Sequence, residues 1–132
     1  MKTHTVLQPA GWARPKGYAN GVAAEGKLVF VGGQIGWNRD NRFECWDLVG
    51  QVRQTLQNIV EVLDEAGAKP EHVVSMTWYL TNKKDYLENL DGIGKVYREI
   101  MGRHFPAMAV VQVTALVEDD AKVEIQAMAV VP

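Results

Sequence analysis

The side chains that most often carry out catalysis or bind metals are few and scattered in this sequence. The single cysteine, Cys45, lies in RFECWDL beside aromatic residues and has no base next to it, so we interpret it as a structural or incidental thiol rather than a nucleophile. His4, His72 and His104 do not have the spacing of metal ligands, and no cluster of cysteines or aspartates joins them. The sequence therefore predicts no metal site.

Composition narrows the class of protein further. The 132 residues fit a single domain, 1–132, and the 47% hydrophobic content excludes a disordered chain. The net charge of -2 without a basic stripe argues against a nucleic-acid partner. No apolar stretch is long enough to cross a membrane, and the N-terminus lacks the apolar core of a signal peptide. One cysteine cannot form a disulfide within the chain, which fits a reducing, cytoplasmic location.

Two helices are predicted from apolar residues that recur every three or four positions. The clearer one covers 47–66, with Asp47 as its N-cap and Gly67 as its stop. The second covers 83–101 and starts after Asn82. Functional residues in the segments 47–66 and 83–101 would be positioned by these two helices.

Strands are predicted on either side of each helix. The predicted strands are 18–24, 27–31, 73–80, 107–117 and 122–131, after a Pro- and Gly-rich loop over 8–17. Gly32 and Gly33 are predicted to end the second of these strands. The last two strands are separated by a turn at 118–120, so we predict that they form a hairpin.

This order of elements predicts an α+β fold. Two strand–helix–strand units place both helices on one face of a single mixed sheet. The strand over 107–117 is apolar on both sides, so the second face of the sheet also needs cover. We therefore expect that face to meet another subunit in a closed symmetric oligomer.

Four segments together resemble the YjgF/RidA family, also called the L-PSP or enamine/imine deaminase family. They are KGYANGV, KLVFVGGQIG, QVRQTLQNIVEVLDEAGA and FPAMAVVQVTALVEDDAKVEIQAMAVV, and the resemblance covers about 14–131. It implies a chorismate-mutase-like fold and a homotrimer with a central β-barrel and three clefts between subunits. In the deaminating members, a cleft arginine holds the carboxylate of a 2-imino acid and a glutamate orients the attacking water. The resemblance implies no metal and no organic cofactor.

Several site residues are implied by this resemblance. Tyr18 matches the cleft tyrosine, although a tyrosine packed at an interface is an equal alternative. Gly32 stands in place of the cleft serine, and Gly33 matches; the pair allows close backbone approach or simply forms a turn or bulge. Glu124 matches the catalytic glutamate, with an exposed strand carboxylate as the alternative. Gln112, where deaminases often carry glutamate, is a weaker candidate.

The main departure from the family pattern is at Met108. Deaminases read P-A-R-S-C here, whereas this chain reads P-A-M-A-V, so Met108 and Val110 would form an apolar part of the substrate-binding wall. Methionine cannot provide the planar two-point grip that arginine offers a carboxylate. Gly94 falls where the deaminases carry a helix asparagine. We therefore expect a substrate other than simple 2-imino acids, with a preference for neutral or more apolar ligands.

Other groups could replace the missing charge. Arg14, Lys16 and Arg103 lie near the matched segments, but a solvated surface position is the favoured interpretation for each. His104 precedes FPAM, and a position at the mouth of the cleft is the less favoured interpretation for it.

Three functions are consistent with this pattern. The first is a hydrolytic enamine/imine deaminase in which Glu124 handles water. The alternative is a non-catalytic trimer that binds a small metabolite or regulates another process. Ribonuclease activity, which attaches to the L-PSP name, is least favoured because the chain is acidic and has no histidine pair.

Overall fold

The computed structural model describes residues 4–132. Over these residues, six strands and three α-helices follow one another, with a 3-10 turn at Pro70–His72. They are β1 (His4–Leu7), β2 (Gly21–Ala24), β3 (Lys27–Ile35), α1 (Leu48–Glu65), β4 (Val73–Leu80), α2 (Lys83–Glu88), α3 (Leu90–Met101), β5 (Ala107–Gln112) and β6 (Val123–Val131). The predicted α+β class is confirmed.

The main sheet has the strand order β3-β6-β4-β5. β6 runs antiparallel to both β3 and β4, and β4 pairs with β5 in parallel. The predicted hairpin between the last two strands is therefore wrong, because β4 lies between them. The crossover through α2 and α3 makes β5 parallel to β4. The chain then returns, and β6 lies between β3 and β4 and pairs with both. Alternation and a turn signal predict a strand, but they do not identify its neighbour.

Three predicted strand bounds also differ, one of them at a start: the strand predicted over 18–24 begins at Gly21. β3 continues through Gly32 and Gly33, because the glycines form a bulge rather than a stop: Val31 pairs with Ala127 and Gln34 with Ile125, so three steps on β3 match two on β6. The predicted strand over 107–117 ends at Gln112, after which the chain leaves the sheet edge.

The first predicted helix is confirmed together with both of its end signals. The Asp47 carboxylate accepts a hydrogen bond of 3.0 Å from the backbone N–H of Gly50, and Gly67 adopts a φ of 70° just beyond the helix. The buried side of α1 packs on the sheet through Val52, Leu56, Ile59 and Leu63.

The second predicted helix is divided at Asn89. The Asn82 side chain caps α2 as predicted, accepting from the N–H of Asp85 at 3.1 Å. One turn later, the Asn89 amide donates to the carbonyl oxygen of Asp85 at 2.7 Å. An asparagine side chain that bonds a nearby backbone carbonyl competes with the helix, and Asn89 is the residue between the end of α2 and the start of α3.

The helices cover one face of the sheet and leave the other open, over the residues described. On the covered face lie Met76, Trp78 and Ile125, all buried. On the open face, Leu28, Phe30 and Val111 are exposed, and Phe30 has 71% of its surface accessible. The predicted placement of the helices on one face is confirmed, and the open face retains large apolar side chains.

A separate antiparallel pair, β1 with β2, precedes the sheet. β1 was not predicted, because four residues are too few to show an alternating pattern. After Tyr18, the backbone N–H of Ala19 donates to the carbonyl oxygen of Pro106 at 2.9 Å, and Ala19 bridges to Ala107. This contact holds Tyr18 beside the start of β5.

Candidate functional site

A cleft of about 520 Å³ opens between β5, the helices α2 and α3, and the segment 16–18. Tyr18, Met108 and Val110, all predicted from the sequence, line it together. Met108 and Val110 pair with Met76 and Trp78 of β4, so their side chains lie on the helix-covered face of the sheet. The bridge from Ala19 to β5 brings Tyr18 to the same place.

Aromatic side chains form much of the cleft wall. The rings of Tyr97 and Phe105 stack with centroids 5.8 Å apart, and Trp78 meets Tyr86 edge-on at 6.3 Å. Burial raises the pKa of Tyr97 and also that of Tyr86, so both phenols are neutral at neutral pH. The Tyr97 hydroxyl donates to the carbonyl oxygen of His104 at 3.0 Å. This wall suits flat, apolar ligand surfaces.

Three cations also line the cleft: Lys16, Arg98 and Arg103. No aspartate or glutamate lines it, and the ion pairs found within residues 4–132 involve none of the three. Arg98 was not among the residues predicted from the sequence. Its guanidinium lies over Gly94, one helical turn earlier: Nη1 is 3.1 Å from where a Cβ on Gly94 would be. The signal was available in the sequence as a glycine four residues before an arginine.

Glu124 lies on the opposite, open face of the sheet. It pairs with Tyr79 on β4, three residues beyond Met76, so its side chain projects away from the cleft. A Cβ on Gly33 would overlap the Glu124 carboxylate, so the glycine is what gives this side chain room. Over residues 4–132, the carboxylate has no hydrogen-bond or ion-pair partner, and the neighbouring Lys122 is not bonded to it.

Gly32 and Gln112 occupy different surroundings. Gly32 borders a shallow groove on the open face with Phe30, Ser75 and Gln126. The Gln112 side chain accepts a 2.7 Å hydrogen bond from the backbone N–H of Lys83 at the start of α2 and does not line the cleft.

The predicted site residues thus form two separate groups within one chain. Tyr18, Met108 and Val110 lie on the covered side, whereas Gly32, Gly33 and Glu124 lie on the open side. β4 separates β5 from β6, and the cleft shares no lining residue with the groove that Gly32 borders. Tyr18 and Met108 also border a smaller groove with Ser75 and Thr77 of β4.

The remaining candidates from the sequence do not cluster. His4 contacts the carbonyl oxygen of Val130 at 3.1 Å, and His72 accepts from the N–H of Lys69 at 2.9 Å. Cys45 is a half-buried free thiol outside the cleft. Among residues 4–132, no group of histidine, cysteine and acidic side chains could hold a metal, and no helix is long and apolar enough to cross a membrane.

Comparison with known proteins agrees with this fold. The model of the family described as Endoribonuclease L-PSP matches residues 12–131. The chain belongs to the YjgF/RidA (L-PSP) family. This Rid-family chain is similar to the 2-iminobutanoate/2-iminopropanoate deaminase of Escherichia coli, with 30% identity over 116 residues and 86% of each chain covered.

Two further relatives extend the comparison. A RutC family protein of Pyrococcus horikoshii is 32% identical over 113 residues, 85% of each chain. YyfB, a Rid family protein of Yersinia pestis, superposes with a TM-score of 0.87 at 29% identity, covering 98% of this Rid-family chain and 99% of YyfB. The match spans the cleft, the bulge and β6 alike.

Proposed function

We propose that this Rid-family protein binds a small metabolite in clefts between the subunits of a homotrimer and hydrolyses an enamine or imine there. The observation that carries the proposal is the division of the site residues between two faces of one sheet. A second copy that packs its open face near the cleft would bring Glu124 and the Gly32–Gly33 bulge to Tyr18 and Met108.

The open face supports such an assembly. Leu28, Phe30 and Val111 are large apolar side chains that the chain itself leaves exposed. Apolar surface of this kind is typical of a face that another subunit covers. A closed trimer would cover the same face in all three copies and create three equivalent clefts.

The chemistry we propose is imine hydrolysis without a cofactor. Glu124 accepts a proton from a water molecule while the water oxygen attacks the C=N carbon, and Glu124 then passes this proton to the nitrogen. The remaining hydroxyl proton is transferred to the nitrogen in the same way as the C–N bond breaks and the C=O bond forms, so that ammonia and a ketone or 2-oxo acid are released. The room beside Glu124 that Gly33 provides would admit the water. The Escherichia coli relative is named for imine deamination, which supports the reaction type for this chain.

The alternative is binding without turnover. It is supported by Met108 and Val110 in the cleft wall, which offer no polar group to hold a reacting substrate. In that case the same clefts would retain a metabolite, and Glu124 would only contact it.

One experiment separates the two. Ammonia release is measured from a panel of enamines and imines for the wild type, for Glu124→Gln, and for Glu118→Gln as an exposed control carboxylate in the turn before β6. Hydrolysis predicts that Glu124→Gln lowers turnover by about a hundredfold or more, with the control unchanged. An unchanged rate in Glu124→Gln removes Glu124 from the mechanism, and no release from any compound favours the binding role.

A further inference from the structure

We infer that Arg98 is the main anion-binding group of the cleft. Because Gly94 has no side chain, the Arg98 guanidinium can lie against α3. The cleft would then take organic anions in which a carboxylate is joined to a bulky, flat, apolar body. The inference deepens the proposed function and rests on the cleft being the ligand site.

The Arg98 guanidinium lies against the backbone of α3 at Gly94. The Arg98 Nη1 atom lies 3.1 Å from the position of a Gly94 Cβ, and the guanidinium carbon lies 3.9 Å from it. Any side chain at position 94 would compete with the guanidinium for this space. Glycine in the middle of a helix costs about 1 kcal/mol relative to alanine. Gly94 therefore carries a stability cost at a place where its lack of a side chain shapes the cleft.

The charged side chains on the cleft wall are all positive. The chain has a net charge of -2, yet the cleft has Lys16, Arg98 and Arg103 on its wall and no carboxylate. Cations that are not neutralised by nearby acids create a positive potential, which attracts anions into a cleft. Arginine among them offers the two-point geometry that fits a carboxylate. This wall argues against the neutral ligand that Met108 alone led us to expect.

The apolar part of the cleft wall fits the body of such a ligand. Met108 and Val110 lie in the same wall as the stacked Tyr97 and Phe105 rings. A flexible methionine beside aromatic rings fits a flat apolar group. A cleft of about 520 Å³ is also within the size range of sites for ligands well above three or four carbons.

The test measures binding by calorimetry, without turnover, on the assembled wild-type protein. Phenylpyruvate is the anionic probe, its methyl ester is the neutral probe of matching shape, and pyruvate is the short anion. We expect phenylpyruvate to bind about tenfold or more tightly than its ester, the scale of one charge-assisted hydrogen bond at a partly exposed site. We expect it to bind about tenfold or more tightly than pyruvate as well, because pyruvate lacks the phenyl ring whose burial contributes binding free energy.

Two variants and a control assign the charge. Arg98→Met should weaken phenylpyruvate binding about tenfold and leave the ester unchanged. Gly94→Ala should weaken phenylpyruvate while raising thermal stability, a combination that a folding defect cannot produce. Arg39→Met, an exposed arginine outside this cleft, is the matched control and should change neither probe.

The outcomes keep this inference separate from the proposed hydrolysis. Equal binding of acid and ester, with no change in Arg98→Met, overturns the anion site even if Glu124-dependent ammonia release is found. No binding of phenylpyruvate at millimolar concentration overturns it as well. Conversely, charge-dependent binding with no ammonia release supports the anion site and refutes only the hydrolysis.

Discussion

Gln51 is a fully buried polar side chain of α1, with 0% of its surface exposed, and it joins three parts of the chain. Its Nε2 donates to the carbonyl oxygens of Cys45 at 3.2 Å and Asp120 at 2.9 Å. Its Oε1 accepts from the N–H of Lys122 at 2.8 Å. The residue therefore fixes the turn that leads into β6, two positions before Glu124. Replacing it with leucine, which has a similar volume, removes all three hydrogen bonds.

The size of the effect follows from these partners. Each hydrogen bond contributes about 0.5–1.5 kcal/mol net, and a buried group left without a partner costs about 1–3 kcal/mol. Asp120 is an exposed residue, so we expect water to replace Gln51 as the partner of its carbonyl oxygen. We therefore expect Gln51→Leu to lower the free energy of unfolding by about 2–3 kcal/mol rather than by the full sum.

Urea unfolding followed by tryptophan fluorescence measures this change, at equal subunit concentrations because oligomer stability depends on concentration. With a slope of about 1.5–2 kcal/mol per molar urea, the midpoint should fall by about 1–2 M. Gln57→Leu, the same change at an exposed position of α1, is the control and should stay within about 0.5 kcal/mol of wild type. A loss below about 1 kcal/mol in Gln51→Leu would refute the role assigned to these hydrogen bonds.

Three further predictions concern assembly, pH and specificity. Light scattering should give a molar mass of about three times 14.7 kDa, and a stable wild-type monomer would contradict the trimer. Val111→Asp should dissociate or unfold the assembly, because burying an unpaired charge costs several kcal/mol. Burial raises the pKa of Tyr97, so the tyrosine ionises more readily in the unfolded state than in the folded one. The stability that the neutral Tyr97 side chain contributes is therefore complete below about pH 10 and is lost as the pH rises. Tyr97→Phe should thus lose less stability between about pH 9 and 11 than wild type does in urea titrations, and an equal loss would exclude Tyr97 as the cause. Met108→Arg should raise the rate of deamination of short 2-imino acids, which the wild type should process slowly. A coupled assay that traps the imine with semicarbazide measures both rates, and fast wild-type turnover would mean that another cation already binds the carboxylate of these substrates.

What the sequence predicted depends on whether a pattern is local. The apolar repeat of α1 and its Asp47 cap are decided within one helix, and both are confirmed. The strand predicted over 122–131 is likewise confirmed, and Val123, Ile125, Ala127 and Ala129, which alternate along it, all lie in the core. Each of these signals can be recognised from the residues of one element, without knowing which other element it pairs with.

The remaining features depend on partners that are distant in sequence. Nothing in the alternation of β6 indicates that it inserts between β3 and β4. The Gly32–Gly33 pair is equally compatible with a strand end or a bulge, and only pairing with β6 decides between them. For the candidate site, the resemblance supplied Tyr18 and Glu124, but not that they project to opposite faces of the sheet. Arg98 was missed because the position of its guanidinium depends on Gly94 having no side chain.

The central position of β6 has a consequence for how the chain folds. β3 and β4 do not pair with each other; each pairs with β6, which follows every other described element along the chain. Until residues 123–131 are synthesised, β3 has no strand partner within this sheet and β4 has only β5. Contacts between segments this far apart in sequence carry a large loop-closure cost and are typical of slow folding. We expect a nascent chain that stops before β6 to expose unpaired strand edges and to depend on protection from aggregation until its last strand is added.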